Sequence, residues 1–94
     1  MMVYLAGKMS GIPDYNKSEF AKYADQLRRE GYSVFNPAAS NMETLPIEEI
    51  FAYDLAFLCK HADAIALIPG WEESEGAVAE HAVAKRLKKQ MIFL

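Results

Sequence analysis

Residues 64–80 read Ala64-Ile65-Ala66-Leu67-Ile68-Pro69-Gly70-Trp71-Glu72-Glu73-Ser74-Glu75-Gly76-Ala77-Val78-Ala79-Glu80, and a change of period inside this stretch decides the fold. The apolar run Ala64 to Ile68 is too short for a helix and too uniform for a half-exposed strand, so it predicts a strand buried on both faces. Pro69-Gly70 ends the run, and Ser74 with Gly76 opens a helix expected to reach about Lys88. A strand that turns and re-enters as a helix points the first helical N–H groups into the crevice above the sheet, a setting for a polar or anionic ligand. Glu80 lies about one turn beyond Gly76 on the same helix face, which aims a carboxylate across a glycine gap. At this local level an ordinary strand–helix element, with Ser74 a simple cap and Glu80 in solvent, reads equally well.

Outward from that stretch the pattern repeats. Met2 to Ala6, closed by Gly7, is another apolar run and predicts a buried first strand. After a loop, Asn16 with Glu19 predicts a capping box, and Phe20, Tyr23, Ala24 and Leu27 recur at helical spacing until Gly31. Tyr32 to Phe35 is a second strand ended by Asn36-Pro37; the polar stretch from Ser40 to Leu45 leads to Pro46, at the start of a helix reaching about His61. Met91 to Leu94 is the last strand. Strands alternating with helices imply a parallel sheet with right-handed crossovers. The expectation is therefore one α/β domain over residues 1–94, three-layered and flavodoxin-like or Rossmann-like, with helices on both faces and strand order 2-1-3-4. The ligand crevice of such a sheet lies between the loops after strands 1 and 3, here Gly7-Lys8-Met9-Ser10-Gly11 and Pro69-Gly70-Trp71.

Composition narrows the function classes. At 94 residues, 52% apolar, 24% charged and net charge −3, the chain reads as a small globular domain and disfavours general nucleic-acid binding. Its radius of gyration should be about 12 Å. The lone Cys59 supplies neither a disulfide framework nor metal-ligand spacing and is expected to pack in the core. The opening residues lack a basic leader and are too short to span a bilayer, so a reducing cytoplasm is the expected setting, with no membrane partner.

Two carboxylates stand out. On the helix after Pro46, the positions Ile47, Ile50, Phe51, Leu55 and Leu58 form an apolar stripe, and Asp54 falls within it. An inward carboxyl needs a hydrogen-bonded partner or takes up a proton, and a protonated carboxyl near neutral pH is equipped to act as a general acid. The plainer reading is an Asp satisfied by loop amides. Together Glu80 and Asp54 form the pair used to cleave a glycosidic bond through a covalent intermediate. Tyr4, on the first strand, needs a partner for its hydroxyl, and a crevice carboxylate is a candidate, although an ordinary core tyrosine is the plainer reading of its position. Trp71 stacks on a ligand or covers the sheet edge; the sequence leaves both open. Asp63 reads as structural, and His61 and His81 as surface or helix-end residues without metal-ligand spacing. Lys85, Arg86, Lys88 and Lys89 read as a solvated helix C-terminus.

The blocks Tyr4-Leu5-Ala6-Gly7, Met9-Ser10-Gly11-Ile12-Pro13-Asp14-Tyr15-Asn16, Phe35-Asn36-Pro37-Ala38, Leu67-Ile68-Pro69-Gly70-Trp71-Glu72, Ser74 with Gly76-Ala77, and Glu80-His81-Ala82 lie in an order that resembles the nucleoside 2-deoxyribosyltransferase-like superfamily. That superfamily includes 2′-deoxynucleoside 5′-phosphate N-hydrolases, and the resemblance is nearest to its small phage and bacterial branch of unknown function. It implies that Glu80 is the nucleophile toward the anomeric carbon, that Asp54 assists departure of the base, and that Tyr4 sits beside the nucleophile. It further implies that Ser74 and Gly76 bind the sugar or its 5′-phosphate. Gly7, Lys8, Met9, Gly11, Asn36, Pro37, Gly70 and Trp71 complete the expected binding set. Lys8 stands where this branch usually carries proline, and the Arg-rich phosphate loop of the monophosphate hydrolases is missing.

These readings combine into an expected enzyme that cleaves or transfers the N-glycosidic bond of a (deoxy)nucleoside or its 5′-monophosphate. No metal or other cofactor is called for. Self-association, most simply a dimer, is expected of so small a domain and is implied by the resemblance. The alternatives are a non-catalytic module that sequesters or senses a nucleotide on the same fold, and a structural domain with a vestigial crevice.

Overall fold

The computed structural model of the protein describes residues 1–39 and 45–94, so most of the expected Ser40–Leu45 stretch lies outside the described residues. Strand β1 (Met2–Ala6) is followed by helix α1 (Lys17–Arg29), β2 (Ser33–Phe35), α2 (Ile47–His61), β3 (Ala64–Leu67), α3 (Glu75–Arg86) and β4 (Gln90–Phe93). All pairings are parallel, in the order β2-β1-β3-β4. This is the α/β architecture and strand order expected from the alternation of buried runs and amphipathic segments. The Cα radius of gyration is 12.0 Å.

Side-chain alternation along the strands assigns each residue to a layer. Val3, Leu5, Ala64 and Ala66 face α1 and bury its Phe20, Ala24 and Leu27. Tyr4, Ala6, Ile65 and Leu67 face the other way, onto Leu58 of α2 and Ala77 and Ala84 of α3. Each large side chain withdrawn from water here contributes roughly 1.5–3 kcal/mol. Because β1 and β3 are the central strands, both of their faces are covered, which is why their sequences are apolar without alternation.

The chain punctuation follows from backbone chemistry. At the end of α1, Gly31 takes φ +97° while its N–H bonds Arg28 O at 3.0 Å and Tyr32 N–H bonds Leu27 O at 3.1 Å, so the glycine stops the helix as expected. Gly7 allows a close approach, since a Cβ there would lie 3.0 Å from Ile68 Cβ and press on it. Ser74 caps α3 by accepting the Ala77 N–H at 3.1 Å.

Three expectations need correction. The Asn16–Glu19 capping box does not form: Asn16 sits in the left-handed region and its Nδ2 donates to Lys8 O at 3.0 Å, tying α1 to the loop after β1 instead. Cys59 is exposed, because the inward positions of α2 are Asp54 and Leu58, and residue 59 turns about 100° away from Leu58. Ile47 is 72% exposed, because it stands in the first turn of α2, where residues 47–49 are all exposed. Asp63 is structural as expected, its Oδ2 accepting the Met2 N–H at 2.9 Å just before β3.

Candidate functional site

The site is built where the three elements of one sheet face converge. Tyr4 comes from β1, Asp54 from the inward line of α2 beside Leu58, and Glu80 from the inward line of α3 between Ala77 and Ala84. Asp54 and Glu80 are the two buried charged residues among those described, each 8% exposed. The Tyr4 hydroxyl donates to Glu80 Oε2 at 2.5 Å. Tyr4 is in turn fixed by stacking on Phe35, with ring centroids 5.4 Å apart, and Phe35 stacks on Phe57 at 4.0 Å. A wall of rings therefore holds the phenol in place.

Burial sets the protonation of this group. Withdrawal from water pushes the Glu80 carboxyl up to about 7 from its ordinary 4.5; the neighbouring Asp54 charge adds to the rise and the Tyr4 hydrogen bond opposes it. Asp54 is pushed up to about 6, also by burial. The Tyr4 phenol is driven far above its usual range by burial and by the two carboxylates, so it stays a donor. Near neutral pH Glu80 thus lies close to half-titration while Asp54 is largely ionised, and carboxyls titrating this close to neutrality are suited to moving a proton.

Above them opens a cavity of about 780 Å³. Its walls come from the loop Gly7 to Ser10, from Pro37 and Ala38, from the first two turns of α2, and from Glu73 to Gly76 at the start of α3, with Asp54 and Glu80 on its floor. Lys8 Nζ lies 3.7 Å from Glu73 Oε2 and joins the two crevice loops. Of the residues expected at the site, Gly7, Lys8, Met9, Pro37, Ser74, Gly76, Asp54 and Glu80 line the cavity. Tyr4 lies behind Glu80. Gly11, Asn36, Gly70 and Trp71 are outside the lining. Asn36 accepts the Ala38 N–H through its Oδ1 at 3.0 Å, and Trp71 packs on His81 with ring centroids 4.6 Å apart. The indole covers the sheet and α3 rather than the cavity.

Sequence reasoning missed the apolar wall formed by Tyr15, Leu45, Ile47, Ile50 and Phe51. The sequence does carry a signal for α2, because Ile47, Phe51 and Asp54 lie on one helix face and the helical period turns the carboxylate among them inward. Tyr15 had no such signal: it reaches the cavity from a turn in which Asp14, Tyr15 and Asn16 all take positive φ. Among the described residues no group of His, Cys, Asp and Glu has the arrangement to hold a metal ion, and no helix is long and apolar enough to cross a membrane.

No curated protein matches the chain. A family model described as a domain of unknown function, DUF4406, matches residues 1–93. With the match running from β1 through β4, the chain belongs to the DUF4406 family.

Proposed function

We propose that this domain cleaves or transfers the N-glycosidic bond of a (deoxy)nucleoside or its 5′-monophosphate, as its resemblance to the nucleoside 2-deoxyribosyltransferase-like superfamily implies. The observation that carries the reading is a buried Glu80, bonded to Tyr4 and paired with Asp54, on the floor of a cavity of small-molecule size. In the first step a Glu80 oxygen bonds C1′ as the C1′–N bond breaks, its electron pair leaving with the base. Asp54 gives that base a proton. In the second step water or a second base attacks C1′, the ester to Glu80 breaks, and Asp54 takes the proton the attacking group loses. Tyr4 orients the Glu80 carboxylate and stabilises its charge. The apolar wall of Ile50 and Phe51 supplies a surface for the base. A dimer formed by this small domain is part of the same proposal, and sedimentation velocity measures it.

Incubating pure protein with a panel of nucleosides and nucleotides, and assaying released base by chromatography, tests the reaction. Glu80→Gln should lower kcat on the order of 10³-fold or more with little change in affinity, and a slow substrate should leave a glycosyl mass adduct on the wild type. One observation favours a second reading, a module that binds without turnover: a Glu80 carboxyl at about 7 spends much of its time protonated, when it donates a hydrogen bond and does not attack carbon. That module predicts no released base and no adduct, with the Glu80→Gln effect confined to affinity.

A further inference from the structure

The charge pattern of the cavity bears on which end of a nucleoside it accepts. Lys8 is the single basic side chain in its lining among the described residues, and its Nζ is held 3.7 Å from Glu73 Oε2. Residues 40–44 read Ser-Asn-Met-Glu-Thr and carry no basic side chain. Against that one paired lysine, Glu48, Glu73 and Glu75 stand at the mouth and Asp54 and Glu80 on the floor. The helix α3 N-terminus would by itself attract an anion, but Glu73 and Glu75 flank its Ser74 cap and offset the partial positive charge of the helix end. Its Ala77 N–H is already taken by Ser74 Oγ. The Lys8–Glu73 pair is partly exposed and so weak enough to be opened. Once it is open, Lys8 is still one cation against the carboxylates of Glu48, Glu73 and Glu75 around the mouth.

We infer that the cavity selects an unphosphorylated nucleoside over the corresponding 5′-monophosphate. The inference rests on the nucleoside reading above and narrows it: a phosphate carrying about −1.5 to −2 charge meets a surplus of carboxylates and, among the described residues, no unpaired cation in the lining, whereas a neutral 5′-hydroxyl needs only hydrogen bonds of the kind Ser74 offers.

Isothermal titration of the full chain with matched pairs of each deoxynucleoside and its 5′-monophosphate, alongside the base-release assay, tests this. The nucleoside should bind at least about tenfold more tightly, about 1.4 kcal/mol. The gap should narrow as salt is raised from about 0.05 to 0.5 M, because screening weakens the repulsion. In the double variant Glu73→Gln/Glu75→Gln, which releases Lys8 and thins the rim, the ratio of the two affinities should fall toward one. Equal or tighter binding of the monophosphates by the wild type overturns the inference, as does an affinity ratio unmoved by both salt and the double variant. Preferential release of base from monophosphates overturns the inference and leaves the proposed reaction standing. Nucleoside-selective binding without released base or adduct does the reverse. Failure to bind either series removes both.

Discussion

The Tyr4 hydroxyl donates to Glu80 Oε2 at 2.5 Å, joining the central strand to α3 across 76 residues of sequence. The bond lies behind the floor of a cavity that Glu80 lines together with a second carboxyl, Asp54, from a third element. Its formation requires β1 and β3 to pair side by side and α3 to pack on the sheet face that carries Tyr4. Tyr4→Phe keeps the ring and its stacking on Phe35 but leaves the buried Glu80 without this donor. Stability should fall by about 1–3 kcal/mol, the cost of a buried group losing its partner. A double-mutant cycle with Glu80→Gln, read by urea unfolding, isolates the coupling; a coupling near zero would mean the two side chains are merely adjacent.

Stability should depend on pH in a direction opposite to that of ordinary salt-bridged carboxylates. Burial raises Glu80 from 4.5 to about 7 and Asp54 from 3.8 to about 6, so each binds its proton more tightly in the folded protein than in the unfolded chain. The resulting contribution is present at low pH and is lost as pH rises from about 4 through about 7. For Glu80 the loss is on the order of 3 kcal/mol. Urea unfolding at pH values spanning this window should show the wild type losing stability on the alkaline side. Glu80→Gln should lose distinctly less; identical slopes for both proteins would contradict the burial-driven shift.

The same pair should shape the pH profile of the proposed reaction. Glu80 must be ionised to attack and Asp54 protonated to assist the base, so the active form carries one proton on the pair. With carboxyls at about 6 and about 7, the singly protonated pair peaks between those values with its proton mainly on Glu80; the reactive arrangement, proton on Asp54, is a fixed minor fraction of it, so kcat/KM should still be bell-shaped around them. Asp54→Asn removes the need for the shared proton. Its rate should be lower throughout and should rise with pH to a plateau, without the alkaline fall. A wild-type profile flat from about 5 to 8 would remove the two carboxyls from the rate-determining chemistry.

How far this architecture can be read from sequence depends on whether a residue's environment is set by its own element or by its neighbours. The unbroken apolar runs Met2 to Ala6 and Ala64 to Ile68 announce central strands, because only strands covered on both faces avoid polar alternation. Asp54 was legible as inward from helical period alone. What the period does not carry is contact between elements far apart in sequence. The Phe35–Phe57 stack behind Tyr4, the docking of Trp71 on His81, and the approach of Tyr15 to the cavity all arise from the relative placement of distant segments. Asn16 shows the same limit on a smaller scale: its local pattern suits a helix cap, but the neighbouring loop offers Lys8 O, and the side chain bonds that instead.

The two helices that flank the sheet ends offer a comparison inside one molecule. At the end of α3, Lys88 N–H bonds Lys85 O at 3.1 Å and Lys89 N–H bonds Ala84 O at 2.9 Å, repeating the geometry by which Gly31 and Tyr32 close α1. The left-handed position is filled by Gly31 in one case and by Lys88, at φ +59°, in the other. A side chain with a Cβ in that region costs roughly 1–2 kcal/mol, partly offset by the greater unfolded-state freedom of glycine. Lys88→Gly should therefore stabilise the protein by about 0.5–1 kcal/mol, and Gly31→Ala should destabilise it by about 1 kcal/mol or more. Lys88 is exposed and followed by Lys89, whose Nζ donates to Ala62 O at 2.7 Å, so the substitution leaves that anchor in place. Both variants are read by urea unfolding at one pH. A Lys88→Gly protein no more stable than the wild type would show that the lysine side chain makes interactions at the helix end that match the backbone strain it carries.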